Sequence, residues 1–167
     1  MQDFSFSHDT LAQRVVLDSG HVVERVIQET EELGIKKPMF ISTESAHDVA
    51  EKLVASLPPV KHWREVVQHV PRSVVDSATA AARDCEADGL ISIGGGSATG
   101  LAKAVALETS LPIIAVPTTY SASEATPIWG ITEDRTKTTG TNPIVLPAVV
   151  IYDADLLGTL PAKMAIS

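Results

Sequence analysis

Three consecutive glycines and a serine, Gly94, Gly95, Gly96 and Ser97, separate an apolar run, Gly89 to Ile93, from an Ala- and Leu-rich run, Ala98 to Leu107. The first run reads as a short buried strand and the second as a helix, so the glycines occupy a strand-to-helix turn. Residues without Cβ let a ligand approach the backbone, and the amides of a helix's first turn have no partner inside the helix. The chemistry such a turn can do is to seat an anion such as a phosphate. Ser97 is expected to cap it. Three better-known turns are excluded. A P-loop fails because Leu101 stands where its lysine belongs, and a dinucleotide fingerprint starting at Gly94 finds its third glycine one place late, at Gly100. A nucleophile elbow fails because Thr99 replaces its closing glycine.

A second stretch, "PTTYSASEATPIWG" from 117 to 130, follows another apolar run and is crowded with Ser and Thr hydroxyls. Buried hydroxyls each need a partner, so they suit a wall that touches a polar ligand better than a core. One loop supplying amides and another supplying hydroxyls would accommodate the diphosphate and ribose of a nucleotide.

Strand-length apolar runs alternate with helical stretches along the chain. "RVVLD" precedes a helix near Gly20 to Leu33, "PMFIS" precedes "ESAHDVAEKLVASL", and "REVVQHV" precedes "SVVDSATAAARDCEA". After the glycine turn and its helix come "LPIIAVP", a polar stretch from Thr118 to Asn142, and "AVVIYD". Strands separated by helices imply an α/β fold, a Rossmann-like parallel sheet with helices on both faces and ligands at the carboxyl ends of the strands. The segment from Thr126 to Asn142 is expected to form a hairpin over that end.

The 167 residues are 44% hydrophobic, the size of one ordinary domain with enough apolar content for a core. A net charge of −8 with only 4% aromatic residues argues against a nucleic-acid binder with a basic surface, so an anionic ligand needs local donors. No apolar run approaches a membrane span and the first residues lack the pattern of a signal peptide, which makes a cytoplasmic protein the expectation. Cys85 is the only cysteine and reads as a buried helical thiol.

"GGGSATGLAKA", "PTTYSASEATPIWGIT", "KTTG" and "VLPAVVIYD", in this order, resemble the amino-terminal half of the iron-containing alcohol dehydrogenase family, most closely its maleylacetate reductase branch. The resemblance runs from about Arg14 onward. The family pattern continues from its Gly-Gly-Gly-Ser with two residues, Asp, two residues and Lys; here Gly100 stands at the Asp position, as in the maleylacetate reductase branch, and Lys103 follows.

The resemblance implies a bound nicotinamide dinucleotide. Gly95, Gly96 and Ser97 would hold its pyrophosphate; Thr118, Thr119 and Ser123 would line adenosine and ribose; Thr126 and Lys137 would reach toward the nicotinamide. Lys137 also has a physical rationale as a cation beside phosphate, whereas Lys103, two turns into its helix, reads as an amphipathic edge residue. At the end of "PMFIST" stand Ser42 and Thr43 instead of an acidic residue, so NADH and NADPH are both expected to be used; the same two residues can also cap the next helix.

The family's helical second domain, with its metal ligands and substrate pocket, is expected to lie beyond "PAKMAIS". His8, His21, His47, His62 and His69 match no ligand position, so no metal is expected on this chain. The implied reaction of the whole enzyme is NAD(P)H-dependent reduction of maleylacetate, a small dicarboxylate, to 3-oxoadipate in aromatic compound degradation. A homodimer is implied, and the chain alone is expected to be inactive. Two other readings stay open: half of a metal-dependent alcohol or glycerol dehydrogenase, and a stand-alone nucleotide-binding module.

Overall fold

The computed structural model describes residues 11–157 of the chain. Six strands form one parallel sheet: β1 (Arg14–Asp18), β2 (Pro38–Ser42), β3 (Lys61–Trp63), β4 (Gly89–Gly94), β5 (Ile113–Pro117) and a last strand at Val149–Asp153, here β8. Their order across the sheet is β1-β8-β5-β4-β2-β3. In β2, β4 and β5 every residue is buried. A strand covered on both faces reads as a nearly continuous apolar run, hence "PMFIS", "GLISIG" and "IIAVP", in which the polar residues are the small Ser42 and Ser92.

Alternation decides which face each side chain meets. Met39, Ile41, Leu90 and Ile113 pack with helices α3 (Arg72–Asp84) and α4 (Gly96–Thr109). Phe40, Ile91, Ile93 and Ile114 pack on the other face with α1 (Val22–Glu32) and α2 (His47–Ser56). Strands β2 and β4 are neighbours, yet the helix after β2 covers one face and the helix after β4 the other. Their carboxyl ends therefore diverge into a crevice, the place where open parallel sheets bind ligands.

The remaining strands, β6 (Ile128–Glu133) and β7 (Thr136–Thr141), form the expected antiparallel hairpin. Its two-residue turn, Asp134 and Arg135, has φ of 49° and 66°, the twist that suits a tight hairpin. The hairpin is fastened to the sheet domain where Pro71 bridges Thr132 and the Thr132 amide donates to the Val70 carbonyl at 2.9 Å.

One expected strand is corrected. "REVVQHV" does not pair; the edge strand β3 lies just before it, at Lys61–Trp63, and residues 64–70 are irregular. The β-branched pair Val66–Val67 has strand propensity, but the chain must leave the edge here to carry Val70 under helix α4, and packing overrides propensity. His62 consequently lies within β3 and His69 in the loop. Cys85 is corrected in part: it follows α3 as its C-cap and is half-buried. Among the described residues no helix is long and apolar enough to cross a membrane.

Candidate functional site

Strand β4 ends at Gly94 with φ of 147°, a conformation L side chains rarely adopt, and a Cβ there would come within 2.5 Å of the Thr43 hydroxyl. Helix α4 then begins with Gly95 as its N-cap, no side chain capping it and no acidic residue in its first turn. Ser97 is therefore not the cap: it is the second residue of the helix, and a half-buried one. The first-turn amides are left for something other than the chain's own side chains. A Cβ on Gly95 would lie 2.7 Å from the Thr119 hydroxyl, so the bare backbone is what allows the second loop to close against the turn. That loop is fixed by the Thr118 amide, which donates to the Gly94 carbonyl at 2.9 Å.

Between the start of α4 and the hairpin lies a cavity of about 600 Å³ whose walls include Gly96, Ser97, Ser123, Thr126, Trp129 and Lys137. No Asp or Glu lines it, whereas Lys103, Lys137 and His69 do. In a chain of net charge −8 that local reversal of sign favours an anionic occupant. Gly95, Thr118 and Thr119 adjoin the cavity around the turn but are not part of its wall.

Ser42 and Thr43 sit at the end of β2, outside the cavity. Ser42 is buried, its hydroxyl 2.7 Å from His62 Nε2, and burial together with the Arg64 guanidinium pushes the His62 imidazole below its usual range. Thr43 is the more open of the pair; its amide donates to the Ile93 carbonyl and its hydroxyl meets Ser45 at 3.1 Å. Neither hydroxyl caps the following turn.

Lys103 is the largest correction. It is not an edge residue but is 1% exposed, and its ammonium donates to the Thr126 hydroxyl at 3.1 Å and to the Ile128 carbonyl at 2.9 Å. Burial lowers its pKa to about 8, a shift opposed by the charge of nearby Glu124. Glu124 is itself buried and accepts from the Ser121 hydroxyl at 2.9 Å and the Tyr152 phenol at 3.0 Å. Burial and that carboxylate push the Tyr152 phenol upward. The overlooked signal was the helix itself: "GSATGLAKAVAL" has no polar face on which Lys103 could be an edge residue.

Gly100 also gains a physical account. A Cβ there would stand 3.0 Å from Val70 Cγ2, so the missing side chain is what lets Gln68, His69 and Val70 lie against α4 and form one side of the cavity. His69 and Val70 have φ of 67° and 49°, a costly conformation for a β-branched valine and one that recurs at ligand sites. Among the described residues no group of three or more His, Cys, Asp or Glu could hold a metal ion.

The profile of iron-containing alcohol dehydrogenases matches residues 12–154. The chain belongs to this family. Maleylacetate reductase of Sphingobium indicum is 46% identical over 164 residues, 97% of this chain and 46% of that protein. An iron-containing alcohol dehydrogenase of Corynebacterium glutamicum is 45% identical, with a TM-score of 0.89 over 99% of this chain and 46% of that one. Maleylacetate reductase of Agrobacterium tumefaciens is 39% identical, with a TM-score of 0.86 over 99% of this chain and 47% of that one. This member of the iron-containing alcohol dehydrogenase family thus spans about half the length of the curated relatives it matches.

Proposed function

We propose that this chain is the cofactor-binding half of a maleylacetate reductase, with a reduced nicotinamide dinucleotide held across the glycine turn and the cavity beside it. The observation that carries the reading is the carboxylate-free cavity at an uncapped helix N-terminus in an otherwise acidic chain. Identity of 39–46% to maleylacetate reductases over nearly the whole chain supports the substrate.

In this reading the amides at Gly95, Gly96 and Ser97 take the pyrophosphate, whose charge is favoured by the α4 dipole. Thr118, Thr119 and Ser123 give hydrogen bonds to ribose and adenosine, and Lys137 gives a cation on the hairpin side. When bound, the reduced nicotinamide supplies hydride to the carbon–carbon double bond of maleylacetate. The chain's own contribution is orientation and exclusion of water: the hairpin covers the cavity, and Thr126 and Trp129 set the ring end. Thr43, the open hydroxyl after β2, accepts from a ribose hydroxyl or donates to a phosphate, so NADH and NADPH both serve. The 167-residue chain alone binds dinucleotide and turns over little or no maleylacetate.

The test is calorimetric titration of the chain with NADH and NADPH beside a Gly95→Asp variant. Saturable binding that the variant loses supports the glycine turn as the seat. Equal binding by both proteins would sink it, as would a parent that binds neither dinucleotide at millimolar concentration.

A further inference from the structure

We propose that Lys103 is a positioning residue for the bound dinucleotide: its buried ammonium, bonded to the Thr126 hydroxyl and the Ile128 carbonyl, fixes how far the hairpin wall stands from the first turn of helix α4. The proposal rests on the functional reading above.

An ammonium is expensive to bury, and a methionine or leucine at this point of an otherwise apolar helix would pack without that cost. The charge is therefore retained for what it holds. It sits on the helix whose first turn carries Gly96 and Ser97, and it reaches the residues that open β6, the strand bearing Trp129. The far end of β6 is fastened separately, through Thr132 and Val70. Besides the packing of Ile131 and Trp129 on the core, the hairpin is thus held by hydrogen bonds at both ends of β6, and those nearer the glycine turn come from this side chain.

The charged groups around the ammonium are few. Glu124, in the turn before β6, is the carboxylate that acts on it. Lys137 from β7 and His69 from the loop before α3 line the same cavity, and Arg72 and Glu108 pair with each other on the surface between α3 and the end of α4. An anionic ligand entering this cavity favours the protonated amine, so affinity should fall as pH rises through about 8, where Lys103 loses its proton.

NADH is titrated into the 167-residue chain and into Lys103→Met between pH 7 and 9.5, with thermal unfolding recorded for both. The expected result is that the variant stays folded, binds NADH about tenfold more weakly than the parent at pH 7, and shows a flat pH profile where the parent's declines. Equal affinity at pH 7, or the same decline with pH in the variant, overturns the proposal while leaving the dinucleotide site standing. If Lys103→Met unfolds, the parent's profile decides alone: a flat affinity from pH 7 to 9.5 overturns the proposal. A parent that binds no NADH overturns both this inference and the reading beneath it.

Discussion

The two walls of the cavity are built by opposite means. The glycine turn is backbone, held between strands that are buried at every residue, and its position follows from the sheet. The hairpin is side chain and surface: all six residues of β7 are exposed or half-buried, and its fastenings to the sheet domain include one bridge and one buried ammonium. On the proposed reading, the first wall takes the part of a dinucleotide that never reacts, and the second the part whose placement must be adjusted. The difference teaches where tolerance lies: substitutions in the turn should act on binding at once, and those in the hairpin should act through alignment.

The largest effect should come from the turn. Gly95→Asp puts a carboxylate at the proposed pyrophosphate seat and a Cβ 2.7 Å from the Thr119 hydroxyl. Affinity for NADH should fall by about a hundredfold or more, while the fold survives because Gly95 has an ordinary negative φ. Undiminished binding by calorimetry would mean that the turn is not the seat and that the contrast between the walls has no bearing on binding.

Next comes stability against pH, which isolates the fastening of the hairpin. Lys103 titrates near 8 when folded and near 10.4 when unfolded, so between those values the unfolded chain binds more protons and stability rises with pH. Urea unfolding of the parent relative to Lys103→Met should show a gain on the order of 2 kcal/mol from pH 7.5 to 10. The sign is opposite to that expected for affinity, so a single structural effect cannot produce both curves.

Gly100→Asp should cost about 1–3 kcal/mol in urea unfolding, because its Cβ would stand 3.0 Å from Cγ2 of the buried Val70 and one of the two must shift. No loss would show that the loop from 64 to 70 yields easily and that the hairpin does not depend on it. The smallest effect belongs to the exposed Lys137: Lys137→Ala should weaken NADH about three- to tenfold, less at high salt, with unfolding unchanged. A salt-independent loss would point to packing instead of charge.

The contrast between the walls also explains what could be read from the residues alone. Buried strands such as "PMFIS" and "IIAVP" are legible because burial on both faces leaves an uninterrupted apolar run, and the glycine turn is legible because nothing but glycine fits so close an approach. The hairpin is legible from two short β-prone stretches, "PIWGITE" and "TKTTG", on either side of the turn "DR". Residues 64–70 are not, because their path is set by Val70 meeting Gly100, a contact thirty residues removed that no local pattern encodes. Lys103 is illegible for a related reason: a lysine in a helix is usually an edge residue, and only its partners in the hairpin make it an interior one. Ser42 likewise has the right type for a ligand contact, but its hydroxyl is taken up by His62 from the neighbouring strand.

The pairing of β1 with β8 has a consequence for how the molecule assembles. Arg14 to Asp18 align with Val149 to Asp153, so this seam joins opposite ends of the chain, whereas β4, α4, β5 and the hairpin are consecutive neighbours. Closing the long loop costs more chain entropy than any step inside the central stretch, and it brings in an edge strand with Val15 and Leu17 still facing outward. The outer seam should therefore be the last part to zip and the first to open. Amide exchange in β1 should run ahead of that in β4, and the binding walls can persist while the edge of the sheet breathes.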